Sequence, residues 1–289
     1  MTGSRWWRRH SFMADPYSTG LPPRREPPAF NVPGPVLVLL ALIAGVHLLA
    51  VSLSWEMQER VILFFSLIPA RYLPEIAVLQ PDFPGGVGAQ FWTPVTYTFL
   101  HGGWEHLIVN SVWLLAFGSP VARRLGTARF FLFYFLCGIA GAALHVFLYS
   151  GSEVPVVGAS AAISGLMGGA TRFVFLAGGP LGALGGRANG YPGGGAARRA
   201  GILVALKDRR TLIFAGVWIG LNVLFGATPL SGVFGVTAQV AWEAHLGGFL
   251  FGLLLFGFFD PLRLSPSGGP GNIGYGEWLG DQGQDDRGH

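Results

Sequence analysis

Residues 158–165 read Gly158-Ala159-Ser160-Ala161-Ala162-Ile163-Ser164-Gly165, and residues 244–248 read Ala244-His245-Leu246-Gly247-Gly248. Each stretch lies near the start of a long apolar segment, where a nucleophilic or ionisable side chain is costly to keep and points to function. Small residues surround Ser160 and His245, so the helices that carry them can approach closely. A serine and a histidine brought together inside a membrane predict nucleophilic catalysis.

The overall composition is that of a protein embedded in a membrane. Of the 289 residues, 51% are hydrophobic and 12% are charged, whereas soluble domains carry about 25% charged residues. The net charge of +4 would suit nucleic acid, but the basic residues lie between apolar stretches and form no basic helix with interleaved aromatic residues. We therefore expect a lipid bilayer, and no nucleic acid, as a partner. Cys137 is the single cysteine, so no intrachain disulfide can form.

Six apolar segments have the length that a transmembrane helix needs, about 17–25 residues. They span residues 35–53, 106–122, 129–150, 157–177, 211–228 and 239–259. A further apolar piece at 61–70 is too short to cross and is expected to lie at the membrane interface. The sequence thus predicts an all-α membrane protein whose six-helix bundle occupies residues 35–260, with a first loop at about 54–105.

Basic residues favour every second side of the membrane, starting with the N-terminus. Five arginines lie in residues 1–34, and further basic residues follow the second and fourth apolar segments. The positive-inside rule then places both termini in the cytoplasm. We expect residues 1–34 to form a flexible basic tail, about 178–210 to form a Gly-rich cytoplasmic loop, and 261–289 to form a disordered tail.

In this orientation the second, fourth and sixth helices all run from the outside inwards. His106 and Asn110 lie in the first turns of the second helix, Ser160 in those of the fourth, and His245 in those of the sixth. At 1.5 Å per residue, all four side chains lie roughly 5–10 Å below the outer interface. His106 and Asn110 are four residues apart and share a helix face, from which both can donate hydrogen bonds to an oxyanion.

Other polar residues in these segments have a structural explanation. A serine in a membrane helix usually bonds its own backbone, which is our expectation for Ser111 and Ser164. We expect His47 and His145 to serve in packing or gating, and Asn222 to be a hydrogen-bond partner between helices. A structural role of this kind also stays open for Ser160 when that residue is considered alone.

Three motifs in this order along the chain resemble the rhomboid family of intramembrane serine proteases. They are the pair His106 and Asn110, Gly158-Ala159-Ser160, and Ala244-His245-Leu246-Gly247-Gly248. Two flanking runs, Phe99-Leu100-His101 and Arg123-Arg124-Leu125-Gly126, are also similar to the family's pattern. The resemblance covers about residues 91–259 and implies a rhomboid-like bundle.

The resemblance implies a serine–histidine dyad. Ser160 would be the nucleophile and His245 the general base and acid, while His106 and Asn110, with the Ser160 backbone N–H, would stabilise the oxyanion. It implies no cofactor, no metal and no acidic third member, and we expect Glu243 to lie at the membrane interface. The implied substrates are transmembrane segments of membrane proteins, cut near the extracytoplasmic face. We expect a multi-pass protein of a bacterial plasma (inner) membrane.

Departures from the family's pattern leave alternatives open. Ala161 stands where the family commonly has glycine, and Ser164 stands where an aromatic residue often packs on the histidine ring. A proteolytically inactive relative that binds membrane clients is therefore a second hypothesis. A metal-dependent protease would need His-Glu-x-x-His on one helix, but Glu105 precedes His106 and no second histidine follows four residues later.

Overall fold

The computed structural model describes residues 32–73, 83–175, 199–227 and 241–261. The predicted tails fall almost entirely outside these ranges, and so does most of the predicted Gly-rich loop at 178–210. Within the described ranges the chain is mostly helical, and its one β-pairing is a single antiparallel bridge between Leu67 and Val156. The described part therefore agrees with the predicted all-α class.

The α-helices of the described residues are, in chain order, α1 (Gly34–Val51), α2 (Trp55–Phe65), α3 (Ala89–Thr96), α4 (Trp104–Trp113), α5 (Ser119–Leu125), α6 (Thr127–Leu148), α7 (Ser160–Ala170), α8 (Ile202–Ala205), α9 (Arg209–Ala227) and α10 (Trp242–Phe259). A π-helical turn, Leu114–Gly118, joins α4 to α5, so the chain stays helical from residue 104 to residue 125. Short 3₁₀ turns occupy Pro69–Tyr72, Gly86–Gly88 and Tyr97–Phe99.

Three of these helices, α1, α6 and α10, are long and apolar enough to cross a membrane. The predicted second and fifth segments correspond to α4 with α5 and to α9, and their spanning role stays a prediction. The predicted segment 157–177 differs, because α7 has only 11 residues and turns follow it as far as residue 175. The helix does not begin earlier because Gly158 has a φ of 123°, far outside the helical region.

The first loop is more helical than the sequence predicts. The first half of the short apolar piece expected at 61–70 forms the end of α2 (Trp55–Phe65), and the second half leaves the helix through the bridge at Leu67 and the 3₁₀ turn at Pro69–Tyr72. Ser54 begins this helix by accepting a hydrogen bond from the Met57 N–H, as N-cap residues do. The described end of the predicted Gly-rich loop is also partly helical, since α8 lies within it.

The first loop holds the extended residues that lead into α7. Leu67 and Val156 exchange two backbone hydrogen bonds, of 3.1 and 2.8 Å. The N–H of Gly158 donates to the carbonyl oxygen of Tyr97 at 2.9 Å, and the Tyr97 hydroxyl donates to the carbonyl oxygen of Gly138 on α6 at 2.8 Å. The start of α7 is therefore fixed from both the first loop and α6.

Helix α7 lies between α6 and α10, with which it packs most extensively. Its residues are buried from Ala161 to Ala170. Because α7 is made almost entirely of small and aliphatic residues, neighbouring backbones can approach it from more than one side. Gly165, for example, faces the buried Cys137 of α6 and leaves no room for a Cβ. The helix that carries Ser160 is thus the centre of the described bundle.

The contact between α7 and α10 depends on residues that have little or no side chain. We call Ala161 and Gly165 on α7, together with Gly248 and Gly252 on α10, the glycine seam. A Cβ at Gly248 would overlap the carbonyl oxygen of Ala161, and a Cβ at Gly252 would overlap that of Gly165. In lipid the hydrophobic effect does not drive helices together, so close packing of this kind provides much of the attraction.

A buried ion pair lies at the opposite end of α10 from His245. Arg124 Nε and Nη2 donate to the two carboxylate oxygens of Asp260 at 3.1 and 2.9 Å, and Arg199 Nη1 lies 3.8 Å from Asp260 Oδ2. The Arg124 guanidinium also lies over the Phe173 ring, 4.6 Å from its centroid. Two-point pairing is the strong form of an arginine–carboxylate contact, and here it ties α5 to the end of α10.

We expect Gly252→Ala to separate α7 from α10. The added Cβ meets only the backbone of Gly165, which cannot rotate away, so overpacking should cost about 1–3 kcal/mol. Thermal unfolding in detergent, followed by circular dichroism, should show a lower midpoint for this variant. Gly216→Ala on α9 is the matched control, since no atom lies within 4 Å of its added Cβ and alanine favours a helix. Equal midpoints for the two variants would contradict the importance of the glycine seam.

Candidate active site

Ser160 and His245 are in direct contact. The Ser160 Oγ lies 2.6 Å from His245 Nε2, although the two residues are 85 positions apart in the chain. Ser160 is the first residue of α7, and His245 is the fourth residue of α10. Both side chains are partly buried. A hydroxyl that donates to a neutral imidazole nitrogen is the arrangement in which histidine can withdraw the proton from a nucleophile.

The glycine seam explains why this contact forms. Gly248 follows His245 by three residues on α10, so the two lie on the same helix face. Ala161, which meets Gly248 across the seam, is the neighbour of Ser160 on α7. The two backbones touch at Gly248. One turn earlier on α10, this close approach brings the His245 imidazole within hydrogen-bond distance of the Ser160 hydroxyl.

The second ring nitrogen of His245 also has a partner. His245 Nδ1 lies 2.6 Å from Asn222 Oδ1 on α9, and Asn222 Nδ2 donates to the carbonyl oxygen of Trp218 at 2.8 Å. The sequence predicts Asn222 as a hydrogen-bond partner between helices, and this is confirmed. That the partner would be His245 is not apparent from the sequence, because α9 and α10 approach each other only in the folded chain.

His106 lies beside the backbone that leads to Ser160. A Cβ built on Gly158 would stand 2.6 Å from His106 Cε1, 2.7 Å from His106 Nε2 and 3.5 Å from Ser160 Oγ. The imidazole of His106 and the serine hydroxyl therefore border the same small space against Gly158. Only glycine suits this position, both because of the ring and because its φ of 123° is unfavourable for other residues.

Asn110 follows His106 by one turn of α4 and is buried. Its Nδ2 atom has no hydrogen-bond partner among the described residues. An unsatisfied donor in a buried position is costly, and its cost is relieved when an acceptor arrives. The structure therefore brings the four residues predicted for the site into one region. Ser160 and His245 form a hydrogen-bonded pair, and the His106 ring lies beside that pair. Asn110 offers an amide donor one turn of α4 away.

Two serines that the sequence assigns to structure bond their own helices. Ser111 Oγ donates to the carbonyl oxygen of Leu107, and Ser164 Oγ donates to that of Ser160, both at 2.7 Å. The expectation for these two residues is confirmed. In the described part of the chain, no set of three histidine, cysteine, aspartate or glutamate side chains converges in a way that could hold a metal ion.

Two further histidines, His47 and His101, pack near the site. The ring of His101 lies 5.1 Å from that of His106, and the ring of His47 meets Trp104 edge-on at 4.6 Å. Burial lowers the pKa of His101, in the first loop, to about 4, so this ring is uncharged at neutral pH. The neutral ring of His101 thus packs against His106, and the edge-on contact with Trp104 agrees with a packing role for His47.

Glu243 is covered by other side chains, and the expectation that it lies at the depth of the membrane interface stays a prediction. It is buried, accepts a hydrogen bond of 2.6 Å from the Tyr149 hydroxyl, and lies 3.5 Å from His145 Nδ1. An acidic residue in the first turn of an apolar helix does not signal which side chains will cover it, so the sequence alone could not predict these two contacts. The cluster joins the end of α6 to the start of α10, two residues before His245.

With this geometry established, comparison with known proteins identifies the family. A family model described as the Rhomboid domain matches residues 88–260, which is more than half of the chain. The chain belongs to the rhomboid family. The resemblance predicted from three short motifs over about residues 91–259 is thereby confirmed, and the rhomboid domain with its membrane-spanning helices makes the chain an integral membrane protein.

Individual relatives match shorter parts of this rhomboid protein. Rhomboid protease GluP of Bacillus subtilis is 40% identical over 79 residues, which cover 27% of this chain and 15% of GluP. Rhomboid-like protease 3 of Toxoplasma gondii is 33% identical over 118 residues, covering 41% of this chain and 39% of the relative. RHOMBOID-like protein 4 of Arabidopsis thaliana is 36% identical over 89 residues, or 31% of this chain and 22% of the relative. The chain thus spans well under two thirds of each relative.

We expect Gly158→Ala to displace His106 and to lower the reactivity of Ser160. The new Cβ collides with the His106 ring, and the loss of His106 as the oxyanion donor that the sequence predicts should cost about 10²–10³ in rate. The measurement is the rate at which a fluorophosphonate labels Ser160 in detergent-solubilised protein. Gly45→Ala on α1, where no atom lies within 4 Å of the added Cβ, should label as the wild type does. A wild-type labelling rate for Gly158→Ala would show that His106 does not act at this position.

Proposed function

We propose that this rhomboid protein is an intramembrane serine endopeptidase, which cleaves transmembrane segments of membrane proteins near the extracytoplasmic face. The observation that carries the proposal is the 2.6 Å contact between Ser160 Oγ and His245 Nε2. Nothing in a purely structural role requires a serine hydroxyl and an imidazole to meet at the start of two apolar helices. In peptide hydrolysis the same pair supplies the nucleophile and its base.

In the proposed reaction, His245 Nε2 accepts the Ser160 proton while Ser160 Oγ attacks the scissile carbonyl carbon. The tetrahedral intermediate collapses when the imidazolium returns that proton to the leaving amine and the C–N bond breaks. Water then attacks the acyl-enzyme and gives a proton to His245, which returns it to Ser160 Oγ as the acyl C–O bond breaks and the carboxyl product leaves. Each step needs the imidazole to accept and donate at one nitrogen, which is the nitrogen that faces Ser160.

The oxyanion of the intermediate needs donors on the side of Ser160 away from the base. His106 and Asn110 are proposed for this role, together with the backbone N–H of Ser160. Two observations support the assignment: the Asn110 Nδ2 atom has no partner among the described residues, and the first N–H groups of a helix such as α7 have no acceptor within it. Each such donor is worth about 10²–10³ in rate.

A second candidate function is a client-binding relative without proteolysis. It is favoured by Ser164, whose hydroxyl bonds its own helix where the family's aromatic residue would support the histidine ring. Whether they are cleaved as substrates or bound as clients, membrane proteins held in a lipid bilayer are part of either proposal.

That no metal, cofactor or nucleic acid takes part stays a prediction. So does the bacterial plasma membrane as location, since the relatives named above include bacterial and eukaryotic proteins.

We further propose six membrane-spanning segments with both termini in the cytoplasm. The alternation of basic residues along the sequence supports this orientation. It places the starts of α4, α7 and α10, and hence the dyad, on the extracytoplasmic side. The short helix α7 is compatible with a buried position, because α6 and α10 pack against it and it need not face lipid along its whole length.

The orientation can be tested with single cysteines. We expect a membrane-impermeant maleimide to modify Glu153→Cys, just before α7, on intact cells, and to modify Arg129→Cys, near the start of α6, only after permeabilisation. Both positions are exposed, and the native Cys137 is buried, so it should not react. The reverse pattern would show that the protein is inserted with its N-terminus outside.

The proteolytic assignment can be tested with an activity-based probe. We expect a fluorophosphonate to label the wild type and not Ser160→Ala or His245→Ala, because only the activated hydroxyl attacks phosphorus. Cleavage of a model transmembrane substrate in proteoliposomes should be lost in the same two variants. Ser111→Ala is a matched control, since that hydroxyl bonds only its own helix among the contacts of the described residues. If wild type and Ser160→Ala behave alike in both assays, the client-binding function replaces the protease.

A further inference from the structure

Helices α9 and α10 meet along three successive contacts. Trp218 stacks on Phe249 with ring centroids 4.6 Å apart and an interplanar angle of 17°. One turn further along α9, Asn222 Oδ1 lies 2.6 Å from His245 Nδ1. After one more turn, Gly226 lies so close to Trp242 that a Cβ would stand 2.5 Å from the indole Cδ1. The residue numbers rise on α9 as they fall on α10, so the helices are antiparallel here.

These flanking contacts determine where Asn222 points. The stacked rings hold α9 against α10 on one side of Asn222, and the close approach at Gly226 holds it on the other. Because the three contacts are spaced by about one helical turn, they lie on one face of each helix. The amide of Asn222 is therefore directed at His245 by the packing of both helices, independently of its own hydrogen bond.

The hydrogen bonds of Asn222 also determine the tautomer of His245. The Asn222 Nδ2 donates to the carbonyl oxygen of Trp218 at 2.8 Å, which is possible only if the amide nitrogen faces that carbonyl. The amide oxygen is then the atom facing His245, and an amide oxygen can only accept. His245 must therefore carry its proton on Nδ1, which leaves the lone pair of Nε2 directed at the Ser160 hydroxyl.

We propose that Asn222 is a positioning residue that completes a serine–histidine–asparagine triad in this protein. It orients the imidazole and keeps its base nitrogen free for Ser160, the role that a third group plays for other nucleophile–base pairs. The proposal rests on the proposed protease function. It also accounts for Ser164: that side chain bonds its own helix, so the histidine ring is supported from α9.

The test compares Asn222→Leu, which has a similar shape and no acceptor, with Asn222→Asp, which keeps an oxygen for Nδ1–H. We expect Asn222→Leu to lower kcat and the rate of fluorophosphonate labelling together, by about 10²-fold, as misplacement of a catalytic group does. KM for a transmembrane substrate should stay within about twofold of the wild type. Asn222→Asp should have kcat and labelling rates at least tenfold higher than those of Asn222→Leu. Val223→Ala, at a neighbouring exposed position on α9, is the control and should behave as the wild type.

A spectroscopic readout follows the tautomer directly. Nitrogen-15 chemical shifts of histidine-labelled protein, assigned by difference against His245→Gln, should show Nδ1–H in the wild type and a mixture of tautomers in Asn222→Leu. This measurement needs no activity, so it decides the proposal even if the probe shows that Ser160 is unreactive. Asn222→Ala serves the same comparison if Asn222→Leu does not fold.

The outcomes separate the possibilities. Wild-type labelling and an unchanged tautomer in both Asn222→Leu and Asn222→Ala would overturn the proposal. Loss of substrate cleavage with unchanged labelling would also overturn it, because Asn222 would then act on substrate access and not on His245. Equal labelling of wild type and Ser160→Ala would instead reject the protease function, and the nitrogen-15 shifts would still report whether Asn222 sets the tautomer.

Discussion

The backbone contact across the glycine seam is the constraint on which the rest of this structure depends. At Gly248 and Gly252 the carbonyl oxygens of α7 occupy the space that a Cβ would need, so the spacing of α7 and α10 is set by backbone atoms. Side chains can change rotamer, but backbones packed in this way cannot adjust separately. The separation of the two helices at Ser160 and His245 is therefore set by the helix pair as a rigid unit, and the rotamers of the two side chains act within that separation. A site that needs atoms placed within a few tenths of an ångström gains most from such support.

The second constraint acts on the start of α7. Because Gly158 breaks the helix and residues 152–158 are held by the first loop, α7 begins at Ser160 and not a turn earlier. The backbone N–H groups of its first turn are left without helical acceptors, at the place where the serine hydroxyl, the His106 ring and the imidazole of His245 meet. The same glycine that ends the extended segment also makes room for His106. One local break in regular structure thus brings together a serine hydroxyl, an imidazole and free helix N–H groups, which the proposed reaction uses as nucleophile, base and donors for negative charge.

The sequence predicts the parts of this arrangement that appear as motifs, and misses those that depend on packing. Ser160, His245, His106 and Asn110 stand in short patterns whose order along the chain is distinctive, and the family match agrees with them. The length of α7 could not be predicted, since apolar residues resume after Thr171 and Arg172 and continue to 177, while the helix ends at Ala170. The burial of Glu243 against Tyr149 and His145 was missed because one acidic residue near a helix start does not signal which side chains will cover it. The contact of Asn222 with His245 was missed because neither residue signals which face its helix presents.

The cost of placing a charge in an apolar bundle explains why the residue beside His245 is an asparagine and not an aspartate. In the proposed reaction a carboxylate would hold the imidazolium more strongly, but it would remain charged in the resting protein, and an uncompensated charge among apolar helices is expensive. A neutral amide accepts from Nδ1–H without adding such a charge, and its own N–H groups can be satisfied by a helix carbonyl, as Asn222 does with Trp218. The weaker hydrogen bond is compensated by geometry, because the Trp218–Phe249 stack and the Gly226–Trp242 approach already hold the amide in place. In the proposed triad, packing between α9 and α10 would therefore do for His245 what a buried acid does in soluble triads.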